Sequence, residues 1–246
     1  QYEEIIKKAR RFLTVIQWDE SEGNTYADPE YGGAGYGRHE RPDLSNTAFL
    51  IDALKGVGAS SDDPAIQRAL IFVSRSQNLE GAYDILEVAP KNPDGGFYYT
   101  PANGGESQAG TTPNGGLRSY GSMTYSGLRS MIYAGVSAND PRVIAAVEWL
   151  GRHYTFAENP GMGDAGLFYY FHTAAKALHV LGQDQFIDTD GKAHDWRKDL
   201  AGVLLGAQQA NGSWVNNNPR WLEDDANLVT SYALLALSYC QLSVTE

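Results

Sequence analysis

The chain contains 246 residues, 42% of them hydrophobic and 20% charged, a composition typical of one large globular domain with its own core. The net charge of −11 argues against nucleic acid and against an anionic membrane surface as partners. No run of about 18 apolar residues occurs, so we expect a soluble protein without a transmembrane segment, in the cytoplasm or in an exported bacterial compartment.

The first predicted helix carries apolar residues at helical spacing between positions 5 and 16, which form one stripe on an otherwise polar surface. Residues 19–42 are predicted to form a loop with a glycine-rich centre. A second helix over 43–57 is apolar nearly all round, which indicates burial on most sides, and Asp43 or Ser45 can cap its start.

A start signal for a helix occurs twice in the next part of the chain. The segments 58–64 and 135–141 both end in Asp-Pro, in which the Asp is the N-cap and the Pro is the first helical residue. The long loop over 78–119 lies between the two signals. It is rich in aromatic residues and glycine rather than in charge, so we expect it to be ordered and functional.

These segments belong to an internal repeat. The first helices share one sequence pattern. It consists of an Ala or Leu, a pair of aromatic or apolar residues that begins three positions later, and a Gln or Tyr eight positions after the Ala or Leu. The four copies of the pattern begin at Ala9, Ala69, Ala146 and Leu200 and end at Gln17, Gln77, Tyr154 and Gln208. The second helices are predicted at roughly 43–57, 120–136, 166–182 and 226–241. Such units bury their apolar faces by stacking on their neighbours.

We therefore predict an all-α fold, an α/α toroid or partial barrel of about four helical hairpins with long Gly/Tyr-rich loops. The chain is expected to form a single domain, 1–246, with repeats at approximately 1–57, 58–136, 137–182 and 183–246. The amphipathic first helices should form an outer layer, and the more apolar second helices should form an inner one.

The repeat pattern, closed in the last unit by Gly212-Ser213-Trp214, resembles the QW repeat of squalene and oxidosqualene cyclases. The helix pairs are also similar to the repeats of protein prenyltransferase β subunits, and residues 33–37 and 43–47 resemble the segment that enters an inner helix there. This resemblance to terpenoid cyclase-like toroids implies that the repeat Gln and Trp tie outer helices to adjacent loops. Such toroids usually close with more hairpins, so either N-terminal units are missing or this is a smaller, open version.

The resemblance also implies where chemistry lies in such proteins. Class II terpene cyclases hold a catalytic acid in an Asp-x-Asp-Asp motif, and the Leu-Glu-Asp-Asp segment at 222–225 makes Asp224 a candidate acid, with helix capping as the alternative. Protein prenyltransferases hold zinc with an Asp-x-Cys pair and a His. Asp43-x-Ser45 and His172 resemble these ligands, but a hydroxyl replaces the thiolate, so we expect no metal and no cofactor.

The N-termini of the inner helices should meet at one end of the toroid, where free N–H groups favour an anionic or polar ligand. The catalytic candidates near that end are Asp224, Glu106, Arg118, Tyr120 and His172. The ligand-binding candidates are Tyr36, His39, Asp43, Asp94, Tyr98, Tyr125, Tyr169 and Trp214. For Glu106 and Arg118 the alternative is a pair that only holds the loop shut, and for His39 it is a solvated charged loop.

Three functions stay open at this point. The first is a squalene-cyclase-like protein that binds a ligand such as an isoprenoid in the central cavity, with terpenoid cyclase or prenyltransferase activity limited by degenerate motifs. The second is a glycan-processing enzyme, a lyase or a hydrolase. The third is a non-catalytic module that binds a protein or peptide. A deep apolar cavity favours the first, an open polar cleft with stacked tyrosines the second, and a shallow broad surface the third.

Overall fold

The computed structural model describes residues 2–38 and 40–241, and this part of the chain contains eight α-helices and one two-stranded sheet. The helices are α1 (Glu3–Val15), α2 (Leu44–Gly56), α3 (Pro64–Arg75), α4 (Gly121–Tyr133), α5 (Pro141–Arg152), α6 (Leu167–Leu181), α7 (Trp196–Ala207) and α8 (Ala226–Cys240). The strands are β1 (Phe186–Ile187) and β2 (Ala193–His194). The prediction of a mostly helical chain is confirmed. No helix in the described part is both long and apolar enough to cross a membrane.

The small sheet is a feature that the sequence analysis did not predict. Its strands pair antiparallel, with Phe186 opposite His194. Between them the carboxylate of Asp188 accepts hydrogen bonds from the N–H groups of Asp190 (3.0 Å) and Lys192 (2.9 Å). This turn reverses the chain. Because each strand has two residues, neither could give a pattern of alternating apolar positions.

Three helix starts have the caps that the sequence predicts. The carboxylate of Asp43 accepts a hydrogen bond from the N–H of Asn46 (2.8 Å) at the start of α2. Asp63 and Asp140 each accept from the N–H two residues further on, at 2.9 Å in both cases, and a proline opens α3 and α5. The local pairing of Asp and Pro therefore sets both outer-helix starts.

The helices form two layers. The second helices of the hairpins, α2, α4, α6 and α8, pack side by side in chain order, and the first helices pack against them. Helices α4 and α6 are buried along most of their length, as inner helices should be. The ends of the row differ from the expectation, since none of the thirteen described residues of α1 is buried and α8 leaves Leu234 and Leu235 exposed. A helix at the end of a row has a neighbour on one side only.

One hydrogen-bond pattern links successive units. The amide of Gln17 donates to the carbonyls of Gly32 and Ala65, at 2.9 Å each, and so joins its own loop to the start of α3. Gln77 makes the same pair of bonds, at 2.9 Å each, to a glycine carbonyl of its own loop and to the start of α5. Tyr154, at the same place in the third unit, reaches the first turn of α7 through its hydroxyl.

Replacement of Gln77 by Ala is expected to destabilise the protein by about 2–4 kcal/mol, because a buried carbonyl (Gly95) and a partly buried one (Arg142) lose their donor. Gln208 is the matched control, since it holds the same place in the last unit but is exposed and donates to the carbonyl of Gly212 (3.0 Å) within its own loop. Urea unfolding should therefore show a much smaller loss for Gln208→Ala. Equal losses would contradict a role of the buried link between units.

A second repeated bond, which the sequence did not indicate, anchors three of the four loops to an inner helix. The N–H of a loop residue donates to a threonine hydroxyl at an equivalent position of α2, α4 or α8. The pairs are Ala34–Thr47 (3.0 Å), Phe97–Thr124 (3.1 Å) and Trp214–Thr230 (3.1 Å). The buried indole of Trp214 also donates to the carbonyl of Leu204 in α7 (2.7 Å). Trp214, which was predicted to bind a ligand, therefore ties a loop to its outer helix.

Candidate functional site

The N-terminal ends of the four inner helices surround a half-open cavity of ≈ 270 Å³. Aromatic side chains provide nearly half of the lining residues: Tyr36, Phe49, Tyr99, Tyr120, Tyr169, Trp221 and Tyr232. The polar lining residues are Ser45, Asn46, Gln108, Ser122, Asn159 and Glu223. The volume lies near the lower end for small-molecule sites, about 300 Å³. Because every inner helix contributes a side chain, the cavity depends on the whole row.

Each inner helix begins at this end with N–H groups that the protein itself caps. The capping side chains are Asp43 for α2, Asn159 for α4, Glu223 for α6 and Asp225 for α8. Their oxygens lie 2.8–3.1 Å from the backbone nitrogens. The expectation of free N–H groups that attract an anion is therefore wrong, because three carboxylates and an amide already occupy them.

Two of these caps are buried carboxylates, and burial raises the pKa of both Asp43 and Glu223. Asp43 also accepts from the side-chain amide of Asn46 (2.7 Å) and from the hydroxyl of Tyr99, which places it behind the lining rather than in it. Glu223 accepts from the amide of Asn216 (2.7 Å) as well as from α6, and it lines the cavity. Among the described carboxyl groups, Glu223 is therefore the one that borders the cavity directly.

A buried charged cluster adjoins the cavity. Asp52 of α2 lies 3.1 Å from Arg129 of α4 and 2.9 Å from Lys176 of α6. His172 lies one turn before Lys176, with its ring stacked 5.9 Å from that of Tyr232. Burial, together with the positive charges of Arg129 and Lys176, lowers the pKa of His172 to about 4, so the imidazole is neutral at pH 7. His172, a predicted catalytic residue, therefore belongs to this cluster and not to the lining.

A series of polar contacts, which we call the rim chain, crosses the edge of the cavity. Arg41 forms an ion pair with Glu106, the amide of Gln108 donates to Glu106 (2.7 Å), and Arg220 donates to the amide oxygen of Gln108 (2.7 Å). The guanidinium of Arg220 also lies 4.1 Å from the ring centre of Trp221. The rim chain joins the loops that precede α2, α4 and α8.

Trp221 is a lining residue that the sequence analysis missed. Trp221 and the following Leu222 have positive φ angles, 58° and 63°, in a region that residues other than glycine rarely adopt. The indole is 46% exposed and packs against Gly166 at the start of α6. Such conformations cost about 1–3 kcal/mol and cluster at ligand sites. Because no local pattern marks them, sequence alone could not indicate this residue.

The structure brings together some of the predicted site residues. Tyr36, Tyr120 and Tyr169 line the cavity, and Glu106 belongs to the rim chain. Arg118 does not pair with Glu106, because its guanidinium donates to the carbonyl of Thr111 (2.9 Å) in its own loop. The alternative of an ion pair between Glu106 and Arg118 is therefore wrong.

The remaining predicted residues lie elsewhere. Asp224 is exposed and outside the lining, so it lacks the burial that a catalytic acid needs. Tyr98 and Tyr125 are buried in the core. Asp94 lies with Arg118 in a separate cleft of ≈ 320 Å³. His39 lies outside the described residues.

Comparison with known proteins adds no assignment to this geometry. A scan against protein-family models and a search of curated proteins both found no match to the sequence. The resemblance to squalene cyclase and prenyltransferase repeats therefore stays a prediction, and function has to be inferred from the cavity itself.

Proposed function

We propose that this chain binds a carbohydrate in the cavity at the start of its inner helices. The observation that carries the proposal is the combination of seven aromatic side chains with hydroxyl and amide groups in one half-open cavity. A sugar ring has apolar C–H faces that pack on aromatic rings and hydroxyl groups that require hydrogen-bond partners. Ser45, Asn46 and Gln108 lie beside Tyr99 and Trp221. Each already makes a hydrogen bond within the protein and keeps capacity for a further one to a sugar hydroxyl.

An isoprenoid ligand has less support. A hydrocarbon chain would cover the polar lining residues Asn46 and Gln108 without offering either of them a hydrogen bond, whereas a sugar hydroxyl can offer one. A class II terpene cyclase also needs a buried acid. With Asp224 exposed, that role would pass to Glu223, whose oxygens already accept hydrogen bonds from the start of α6 and from Asn216.

A broader structural proposal accompanies this function. We infer that the two helical layers form an open α/α toroid of four hairpins in a single domain, similar to the squalene cyclase and prenyltransferase repeats. The support is the repeated link made by Gln17 and Gln77 and the packing of inner helices in chain order. Fold similarity of this kind carries no activity by itself.

Glycan processing is a second candidate function, and it depends on Glu223. This carboxyl group is buried, borders the cavity and has a raised pKa, which are properties of a general acid. To donate a proton it would first have to give up one of the hydrogen bonds that it accepts from the start of α6 and from Asn216. A reducing-end assay on any oligosaccharide that binds would detect cleavage. Binding without cleavage would restrict the function to recognition.

Neutral oligosaccharides are expected to raise the unfolding temperature, because a ligand that binds only the native state stabilises it by RT ln(1 + [L]/Kd), about 2.7 kcal/mol at [L] = 100 Kd. The panel consists of cellotetraose, maltotetraose and mannotetraose, and isothermal titration calorimetry gives the Kd of each. Trigalacturonate tests an anionic sugar, which the capping carboxylates should disfavour.

Farnesyl diphosphate is the isoprenoid comparison in the same experiment. Stabilisation by farnesyl diphosphate without any effect of the three neutral sugars would overturn the carbohydrate proposal in favour of the terpenoid one. Preference for trigalacturonate would contradict the role given to the capping carboxylates.

A further inference from the structure

The first outer helix of the row exposes a surface that later outer helices bury. Ile6 and Phe12 of α1 are 45% and 61% exposed. Ile66 and Phe72 occupy the same positions of the repeat in α3, and both are 0% exposed. In α3 these side chains pack against the preceding hairpin, so α1 carries the same contact surface with no neighbour among the described residues.

The last inner helix exposes apolar side chains at the other end of the row. Leu234 lies four residues after the loop-bonded threonine of α8 and is 55% exposed. The residues at that position in α2 and α4 are Ile51 and Leu128, and both are 0% exposed. They belong to the main hydrophobic core, whereas Leu234 and the adjacent Leu235 are exposed.

The last loop retains the first of two glycines that admit a following outer helix, whereas Ser213 replaces the second, Gly33 or Gly96. A Cβ atom on Gly32 or Gly95 would meet backbone atoms of α3 or α5, at 1.9 Å and 2.9 Å, so these glycines allow the next outer helix to approach closely. Gly212 holds the same place in the last unit, with a similar φ of 86°, yet no other described atom lies within 4 Å of its Cβ position. The space that α3 and α5 fill at the earlier glycines is open there.

The repeat Gln shows the same incomplete pattern. Gln17 and Gln77 each donate to their own loop and also to the start of the next outer helix. The bond that the structure records for the amide of Gln208 is the one to its own loop, at Gly212 (3.0 Å). The second acceptors, the carbonyls of Ala65 and Arg142, lie seven residues before the repeat aromatics Phe72 and Trp149. The carbonyl at the same place in α1 is that of Ile5.

We propose that the α7–α8 end of one chain binds the α1–α2 end of a second copy, head to tail. In this contact α1 of the second copy takes the place on α8 that α3 takes on α2. Ile6 has the role of Ile66, and Phe12 lies beside Ser213, which stands where Gly33 contacts Phe72. A second copy is the occupant because α1 carries these apolar residues in the register of the helix that fills this place within the row. The inference is independent of the cavity and its ligand.

Such a contact is heterologous, since it joins two different surfaces, and it therefore leads to a ring or to an open chain of copies. The wild-type chain is expected to associate as its concentration rises to about 100 µM. This concentration is well above the Kd values of interfaces of standard size, which are micromolar at the weakest. Sedimentation velocity measures the association and distinguishes a closed ring, which has a limiting size, from a chain that continues to grow.

The decisive experiment uses one variant for each surface. Phe12→Glu removes the α1 surface and Leu234→Glu removes the α8 surface, and both positions are exposed, so circular dichroism should show wild-type folding. Each variant alone should be monomeric. An equimolar mixture should form a dimer and nothing larger, because only the intact α8 surface of Phe12→Glu and the intact α1 surface of Leu234→Glu can meet.

The control is Ile144→Glu, which introduces the same charge at an exposed apolar position of α5 and should associate like the wild-type chain. A wild-type chain that stays monomeric at about 100 µM overturns the proposal, since this exceeds the Kd range of standard interfaces. Folded single variants that still associate would place the interface elsewhere, and a mixture that remains monomeric would show that the two surfaces do not bind each other.

Discussion

A Trp221→Asn variant is expected to bind a neutral oligosaccharide about 10- to 100-fold more weakly than the wild-type chain. The reason is that the contact between an indole ring and a bound sugar is worth about 1.5–3 kcal/mol at a binding site. Asn tolerates the left-handed conformation, with φ of 58°, that Trp221 adopts. The variant should therefore fold as well as the wild-type chain, or be more stable by up to about 1 kcal/mol. Isothermal titration calorimetry measures the binding, and urea unfolding measures the stability.

Two further variants make this result specific. Trp221→Phe keeps a ring at the same place and should restore most of the affinity. Tyr2→Ala removes an exposed ring next to α1, outside the cavity lining, and should leave the Kd unchanged. An unchanged Kd in Trp221→Asn would show that the indole does not contact the sugar.

An Asp52→Asn variant is expected to lose about 3–5 kcal/mol of stability, the cost of leaving a buried ion without its partner. Asp52 pairs with Arg129 (3.1 Å) and with Lys176 (2.9 Å), so the substitution removes the counter-charge of two cations that belong to different inner helices. Urea unfolding followed by far-UV circular dichroism should show the loss as a lower midpoint.

The matched control is Glu3→Gln, which breaks an exposed ion pair with Lys7 (2.9 Å) on α1 and should leave the midpoint unchanged. Replacement of Asp52, Arg129 and Lys176 together by Leu and Met should recover much of the stability, because no charge is then left buried. If Asp52→Asn unfolded at the wild-type midpoint, the cluster would not hold the inner layer together.

Much of the fold was predictable because the same local sequence signals recur in successive repeats. Asp-Pro marks the starts of α3 and α5 through local geometry that needs no tertiary information. The inner helix α6 lacks a wide polar face, which indicates burial, whereas α4 is buried in spite of its serines and Arg129. The exposure of α1 and α8 was not predictable, because an apolar pattern does not reveal whether a neighbour is present to cover it.

The candidate site was predictable only in part. Tyr120 and Tyr169 could be assigned to the cavity because they lie at the starts of predicted inner helices. The contact between Arg220 and Gln108 was missed, since it joins loops 112 residues apart in the chain. Trp221 was missed because its backbone conformation, rather than its sequence neighbours, turns the ring toward the cavity.

The cavity takes side chains from all four inner helices, whereas each hairpin otherwise packs mainly on its sequence neighbours. In an array built from nearest-neighbour contacts, the outermost units can fray while the middle stays intact. A sugar held simultaneously by Ser45, Ser122, Tyr169 and Tyr232 would connect the first unit to the last. Binding of the sugar in the cavity would then replace stepwise unfolding from the two ends by one cooperative unfolding transition.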